Sequence, residues 1–259
     1  MENLEFVEFE VEDGVAWIKL NKPPLNILDI KMLEELTKAL KEADKRNDVF
    51  AICIKASEKT KAFSAGADVR DHMPDRLKEF IDAFNNVFYT MWSIEKPIIS
   101  AVRGYALGGG CEILLASDVV IAASDSKIGQ PEITVGVYPP VAVVLMPLLA
   151  GYQRAAELIL TGEMIDAEKA EKIGLVNKVV KADELDSAVR EFLGKLGDKS
   201  SAVLKITKRA LYQSIGIEEL KQKLETVTET YMNDLMKTED ASEGLKAFME
   251  KRKPVWKGR

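Results

Sequence analysis

Two glutamates and a run of three glycines are the residues best equipped for chemistry in this chain of 259 residues. The run Gly108-Gly109-Gly110-Cys111-Glu112 follows an apolar stretch at 97–102 and precedes a helix-compatible stretch at 113–116. Glycine permits positive φ and close approach of a ligand to the backbone. The start of a helix leaves N–H groups without intrahelical partners. Such a turn can present oriented donors to a developing negative oxygen, with Glu112 one step into the helix. A tight turn carrying a solvated glutamate is the other use of the same residues. A second carboxylate, Glu132, follows in the extended segment 127–133. Small residues crowd the loop Ala62-Phe63-Ser64-Ala65-Gly66-Ala67-Asp68, which again suits contact between main chain and ligand, or a flexible surface loop.

Other chemistries have few residues to use. His72 is the only histidine, so a Ser-His-Asp triad or a histidine-rich metal centre would rest on it alone; it reads as an exposed loop residue. Cys53 and Cys111 are the only cysteines, too few for a disulfide framework or zinc site, and they point to a reducing, cytoplasmic setting. Cys111 has no basic partner in sequence and reads as a small packing residue rather than a nucleophile. A formal charge of −6 with interspersed signs argues against a nucleic-acid surface as the main purpose. The start Met1-Glu2-Asn3-Leu4-Glu5 lacks the basic and apolar regions of a leader, and no apolar run is long enough to span a membrane.

The elements that must position these groups are legible from periodicity. Val7, Phe9 and Val11 alternate with Glu8, Glu10 and Glu12, a period of two that predicts a strand with one wet face. Asp13-Gly14 then predicts a hairpin, with the returning strand at 15–20. Asp29 caps a predicted helix to about residue 46. Strands at 50–55, 97–102, 119–122 and 175–180 alternate with helices at 74–93, 153–160 and 167–173, the order of an α/β fold. Residues 141–150 are apolar almost all round and are expected to be buried or to line a cavity. Helices fill the rest, with Gly194 and Gly197 predicting a boundary between a core at 1–195 and a helical region at 196–259.

The ordered set resembles the enoyl-CoA hydratase (crotonase) family. The residues that carry the resemblance are the 62–68 loop, the stretch 104–112, Gly129-Gln130-Pro131-Glu132, Leu160-Thr161-Gly162 with Ala167 and Ala170, Gly174-Leu175-Val176, Glu243-Gly244 and Ala247-Phe248-Met249-Glu250-Lys251-Arg252. The resemblance implies a spiral core of ββα units, with a C-terminal helical region that builds a homotrimer or a hexamer of paired trimers. It implies an acyl-CoA thioester substrate, with neither metal nor separate cofactor. It places an oxyanion hole on the N–H groups of Ala67 and Gly109, and the catalytic carboxyls on Glu112 and Glu132. It lays CoA along Ala65, Ala67, Asp68, Val69 and Arg70, with Phe248 and Lys251 reaching its phosphates.

Both glutamates together point to water addition across a C=C bond, with Glu112 deprotonating water and Glu132 protonating Cα. An enoyl-CoA isomerase and an idle acyl-CoA- or RNA-binding relative are the alternatives. The segment Val137-Tyr138-Pro139-Pro140-Val141 departs from the glycine-rich stretch usual in the family. It is similar to the branch acting on cyclic dienoyl-CoA thioesters of aromatic degradation; a short-chain or branched substrate with a drifted wall is the competing explanation.

Overall fold

The computed structural model describes residues 4–259. Residues 1–3, part of the start read above as leaderless, lie outside the described residues. In chain order the elements are β1 (Val7–Glu12), β2 (Val15–Leu20), α1 (Ile30–Lys45), β3 (Ala51–Ala56), α2 (Leu77–Ser93), β4 (Ile98–Val102), β5 (Tyr105–Leu107), α3 (Gly109–Leu115), β6 (Val119–Ala123) and β7 (Lys127–Gly129). Then follow α4 (Pro140–Ala150), α5 (Tyr152–Thr161), β8 (Met164–Asp166), α6 (Ala167–Lys172), β9 (Lys178–Val180), α7 (Leu185–Gly197), α8 (Ser201–Ser214), α9 (Ile217–Asn233) and α10 (Glu239–Met249).

The larger sheet has the order β1-β2-β3-β4-β6-β9. Only the β1–β2 hairpin is antiparallel; every other neighbour pair is parallel. The central strands are buried on both faces, so their side chains divide between two cores. Ala16, Ile18, Leu20, Ile52 and Ile54 face the main core with α1 and α2. Val15, Trp17, Ala51, Cys53, Ile99 and Ala101 face the opposite side, where Leu185, Ala188, Val189 and Leu193 of α7 cover them. A smaller sheet, β5-β7-β8, stands apart from the first. Its strands are three residues each, and β5 and β8 were not anticipated by periodicity.

Gly194 and Gly197 lie in the last turn of α7, which ends at Gly197 before α8 begins at Ser201. Two expectations need correction. Residues 141–150 form a helix, but Leu148 and Leu149 are 55% and 46% exposed, so it is not buried all round. The strand expected at 175–180 is only β9, because Leu175 N is used to close α6 on Ala170 O at 2.9 Å and the chain stays irregular to Asn177. Nothing lies within 4 Å of a methyl placed on Gly194. Gly194→Ala is therefore expected to stabilise the fold by roughly 0.5–1 kcal/mol through helix propensity, read as a higher midpoint in urea.

The C-terminal helices are anchored by buried lysines. Lys96 Nζ donates to the carbonyls of Ala43, Asp44 and Arg46 at 2.6–2.8 Å, satisfying the end of α1. Lys208 of α8 donates to Lys96 O at 2.8 Å and pairs with Asp118 at 2.7 Å. Among the described residues no helix is long and apolar enough to cross a membrane.

Candidate active site

The two small-residue segments are brought side by side by a few main-chain bonds. Ser64 N donates to Tyr105 O at 3.0 Å and Leu107 N to Ser64 O at 2.9 Å, so the 62–68 loop runs beside β5. Asn26, itself at φ 51°, clamps that loop by donating Nδ2 to the carbonyls of Ala62 and Phe63 at 2.9 and 3.0 Å. Leu28 then pairs with Ala67: Leu28 N donates to Gly66 O, and Asp68 N to Leu28 O, both at 2.9 Å. Gly66 N is taken by Ser64 Oγ at 3.2 Å. Ladder geometry turns the intervening Ala67 N–H away from Leu28.

The opposing donor arises at the start of α3. Gly108 adopts φ 52°, and its N–H donates to Gly129 O at 2.9 Å. Gly109 is the first helical residue, so its N–H has no intrahelical acceptor. Among the described residues neither the Ala67 nor the Gly109 N–H donates to an acceptor outside its own element. Glycine is required here by space. A methyl on Gly108 would collide with Glu132 Oε1, and one on Gly110 would stand 2.7 Å from Ser64 Cβ and Ser64 O.

Both amides open onto one cavity of about 160 Å³, which Glu112 and Glu132 also line. Glu112 is 1% exposed, and its Oε1 accepts from Ala142 N at 2.9 Å. That donor is available because Pro139 and Pro140 open α4 without N–H groups, leaving Val141 and Ala142 as its first donors. Burial raises the Glu112 carboxyl to about 7, against the lowering effect of the Ala142 and Val141 amides. Glu132 lies in the 3-10 turn Pro131–Val135, and its Oε2 is enclosed without a protein partner among the described residues. Burial and then the neighbouring Glu112 charge push it well above the ordinary carboxylate value. The pair therefore favours one shared proton, held by Glu132, with Glu112 the first to ionise.

The CoA-side expectations divide. Ala65, Val69 and Phe248 line the cavity with Ala67 and Gly109. Asp68, Arg70 and Lys251 do not. Asp68 caps the short turn Val69–His72, accepting from Arg70 N at 2.9 Å and pairing with Arg70 Nη2 at 2.6 Å. The Arg70 hydrogen bond holds the Asp68 carboxyl below its usual value. Arg70 and Lys251 are exposed.

His72 corrects its sequence reading. It is buried and lines the cavity, with Nδ1 3.0 Å from Asp68 O and its ring 4.6 Å from Phe80. Burial lowers its pKa, so it is neutral at pH 7. The sequence reading also missed the far walls, where Phe80, Ile81 and Phe84 come from α2, Tyr231 from α9 and Leu245 from α10. Tyr138, in the segment singled out by sequence, lines the cavity just before α4. Tyr231 did carry a signal: Leu220, Leu224, Val227 and Tyr231 follow helical spacing along one face of α9, so a tyrosine stands in an apolar stripe.

Similarity to known proteins runs along nearly the whole chain. Residues 10–259 match the family model for enoyl-CoA hydratase/isomerase. A cyclohexa-1,5-dienecarbonyl-CoA hydratase of Thauera aromatica is 35% identical over 253 residues, covering 98% of this chain and 96% of that protein. A probable enoyl-CoA hydratase of Mycobacterium bovis is 39% identical over 256 residues, covering 96% and 97%. Among solved structures, an enoyl-CoA hydratase from Mycobacterium avium subsp. paratuberculosis superposes with a TM-score of 0.88 at 26% identity, covering 98% of this chain and 99% of that one. With the match running nearly from end to end, the chain belongs to the enoyl-CoA hydratase/isomerase family.

Proposed function

We propose that the protein adds water across the C=C bond of an α,β-unsaturated acyl-CoA thioester. One observation carries this reading: two carboxyls of unequal proton affinity line the same cavity as two main-chain amides left open. The thioester oxygen binds the Ala67 and Gly109 N–H groups, which strengthen their hold as it becomes an enolate oxygen. Ionised Glu112 takes a proton from water as the water oxygen bonds to Cβ. The π electrons move onto the thioester, and Glu132 delivers its proton to Cα as the enolate collapses. The sum is one water added; the proton gained by Glu112 returns to Glu132 to reset the pair. An isomerase would move a proton without needing a second carboxylate beside Cβ.

The acyl group is proposed to be a cyclic dienoyl thioester. A cavity near 160 Å³ is the size that holds one six-membered ring. Val137, Tyr138, Pro139 and Pro140 give it a wall of restricted backbone, and the Thauera relative carries that substrate class in its name. Kinetics on crotonyl-CoA beside cyclohexa-1,5-diene-1-carbonyl-CoA test both levels. A kcat/KM favouring the cyclic ester supports the finer reading, the reverse preference leaves only the hydratase, and no water addition to either rejects both.

The pH dependence follows from the pair. Below about 7 Glu112 gains a proton and the base is lost; at higher pH Glu132 loses its proton and the acid is lost. A bell-shaped kcat/KM profile is expected, with its acid limb near 7. The assembly is proposed to be a homotrimer or paired trimers. In support, Val203, Ile206 and Leu211 of α8 and Ile215 at its C-terminal end are each more than half exposed, an apolar surface that a second copy could cover. Light scattering after gel filtration tests this; a monomer at micromolar concentration rejects it.

A further inference from the structure

Among the described residues Tyr231 is the largest fully buried side chain, 1% exposed, and its hydroxyl has no protein hydrogen-bond partner. Buried hydroxyls ordinarily find a partner. Its residue lines the cavity that Glu112 and Glu132 share, and both glutamates are close enough to act on the hydroxyl. Its ring is held edge-on to Tyr138, with centroids 5.2 Å apart and planes at 84°. Tyr138 is fixed in turn by donating its hydroxyl to Val227 O of α9 at 2.5 Å. The aromatic pair thus locks α9 to the segment before α4 and leaves one polar atom, Tyr231 Oη, for whatever enters the cavity. Burial and the nearby glutamates raise its pKa, so it remains a neutral hydroxyl across the working pH range.

We propose that Tyr231 is a further catalytic residue, whose hydroxyl binds the oxygen that adds to, or leaves from, Cβ. The inference rests on the hydratase reading and extends it to the water. A water with one hydrogen on Glu112 has a second hydrogen to place before a lone pair can point at Cβ. A tyrosine oxygen accepts that hydrogen during addition and donates its own to the β-hydroxyl during elimination. Glu132 is not free to serve as that partner, because its proton is committed to Cα. No covalent bond to Tyr231 forms, and the proton count of the reaction is unchanged.

Two assays on Tyr231→Phe separate this role from its rivals. The ring and its packing on Tyr138 are kept, so loss of the hydroxyl is the only chemical change. Water addition to crotonyl-CoA or the cyclic dienoyl ester is expected to slow by about 10- to 100-fold in kcat, the scale of one hydrogen bond to a reacting group. Exchange of the α-protons of butyryl-CoA in D2O needs the two amides and Glu132 but no water at Cβ, and should stay within about twofold of wild type. Equal loss in both assays would make Tyr231 a support for Glu132 and overturn the proposal. Hydration within twofold of wild type would also overturn it. A wild-type protein inactive in both assays fails at the hydratase reading itself, which is a distinguishable result.

Discussion

Glu112→Gln and Glu132→Gln are each expected to lower kcat for water addition by about 10²–10⁴-fold, the usual contribution of a positioned acid or base. Glutamine keeps the shape of each side chain and removes the proton chemistry. The two variants should part company in a second assay. Glu112→Gln keeps α-proton exchange of butyryl-CoA, because Glu132 still faces Cα; Glu132→Gln loses it. Near-normal turnover in either variant removes that residue from the mechanism. Unfolding is an unsuitable explanation for the losses, because the stability effect runs in the opposite direction. Both folded carboxyls hold their protons more tightly than an ordinary glutamate does. The stability this lends is complete below pH ~4.5 and is lost as pH rises through about 7 and beyond. At pH 8 wild type therefore carries the cost of ionising buried groups, and the glutamine variants should melt at equal or higher temperature.

Gly110→Ala is expected to lower hydration and α-proton exchange together, by about 10²–10³-fold, the scale of losing one oxyanion-hole donor. Gly110 touches neither substrate nor proton. Its added methyl would stand 2.7 Å from the Ser64 carbonyl, a main-chain atom that cannot swing aside. Ser64 bonds Leu107 N and, through Oγ, Gly66 N, so a shift there changes the spacing between Ala67 and Gly109. Both reactions pass through an enolate, so both should suffer alike, unlike the split expected for Glu112→Gln. Hydration at wild-type rate in folded Gly110→Ala would show that the two amides do not grip the thioester. Gly194→Ala, a methyl added in open space, is the matched control.

Much of this was legible before any coordinates, and for physical reasons. The glycines at 108–110 announce a close approach, and the structure places Glu132 and Ser64 where their missing methyls would be. The hairpin at Asp13-Gly14 follows from period two in β1, the central strands from continuous apolar runs, and both appear as expected. The smaller sheet was illegible because three-residue strands have no period to read, and Gly129 and Ala106 carry little strand preference. His72 looked exposed because it follows Arg70 and Asp71. Yet Asp71 is itself buried, accepting from Ile30 N at 3.2 Å and pairing with Arg76 at 3.1 Å, and these local bonds draw the turn inward. Tyr231 was out of reach for another reason. Its place in the apolar stripe of α9 marked it as buried, but its contact with Tyr138 lies 93 residues away in the chain, and helical spacing does not say what a buried face meets.

The cavity wall supplied by Tyr231 and Leu245 has a consequence for biosynthesis. Both carboxylates and both amides leave the ribosome about a hundred residues before that wall does. A nascent chain ending near residue 195 would lack Tyr231, Leu245 and Phe248 from the wall around Glu112 and Glu132. The enclosure of the two carboxyls is thus completed last, when the final helices close over residues made long before.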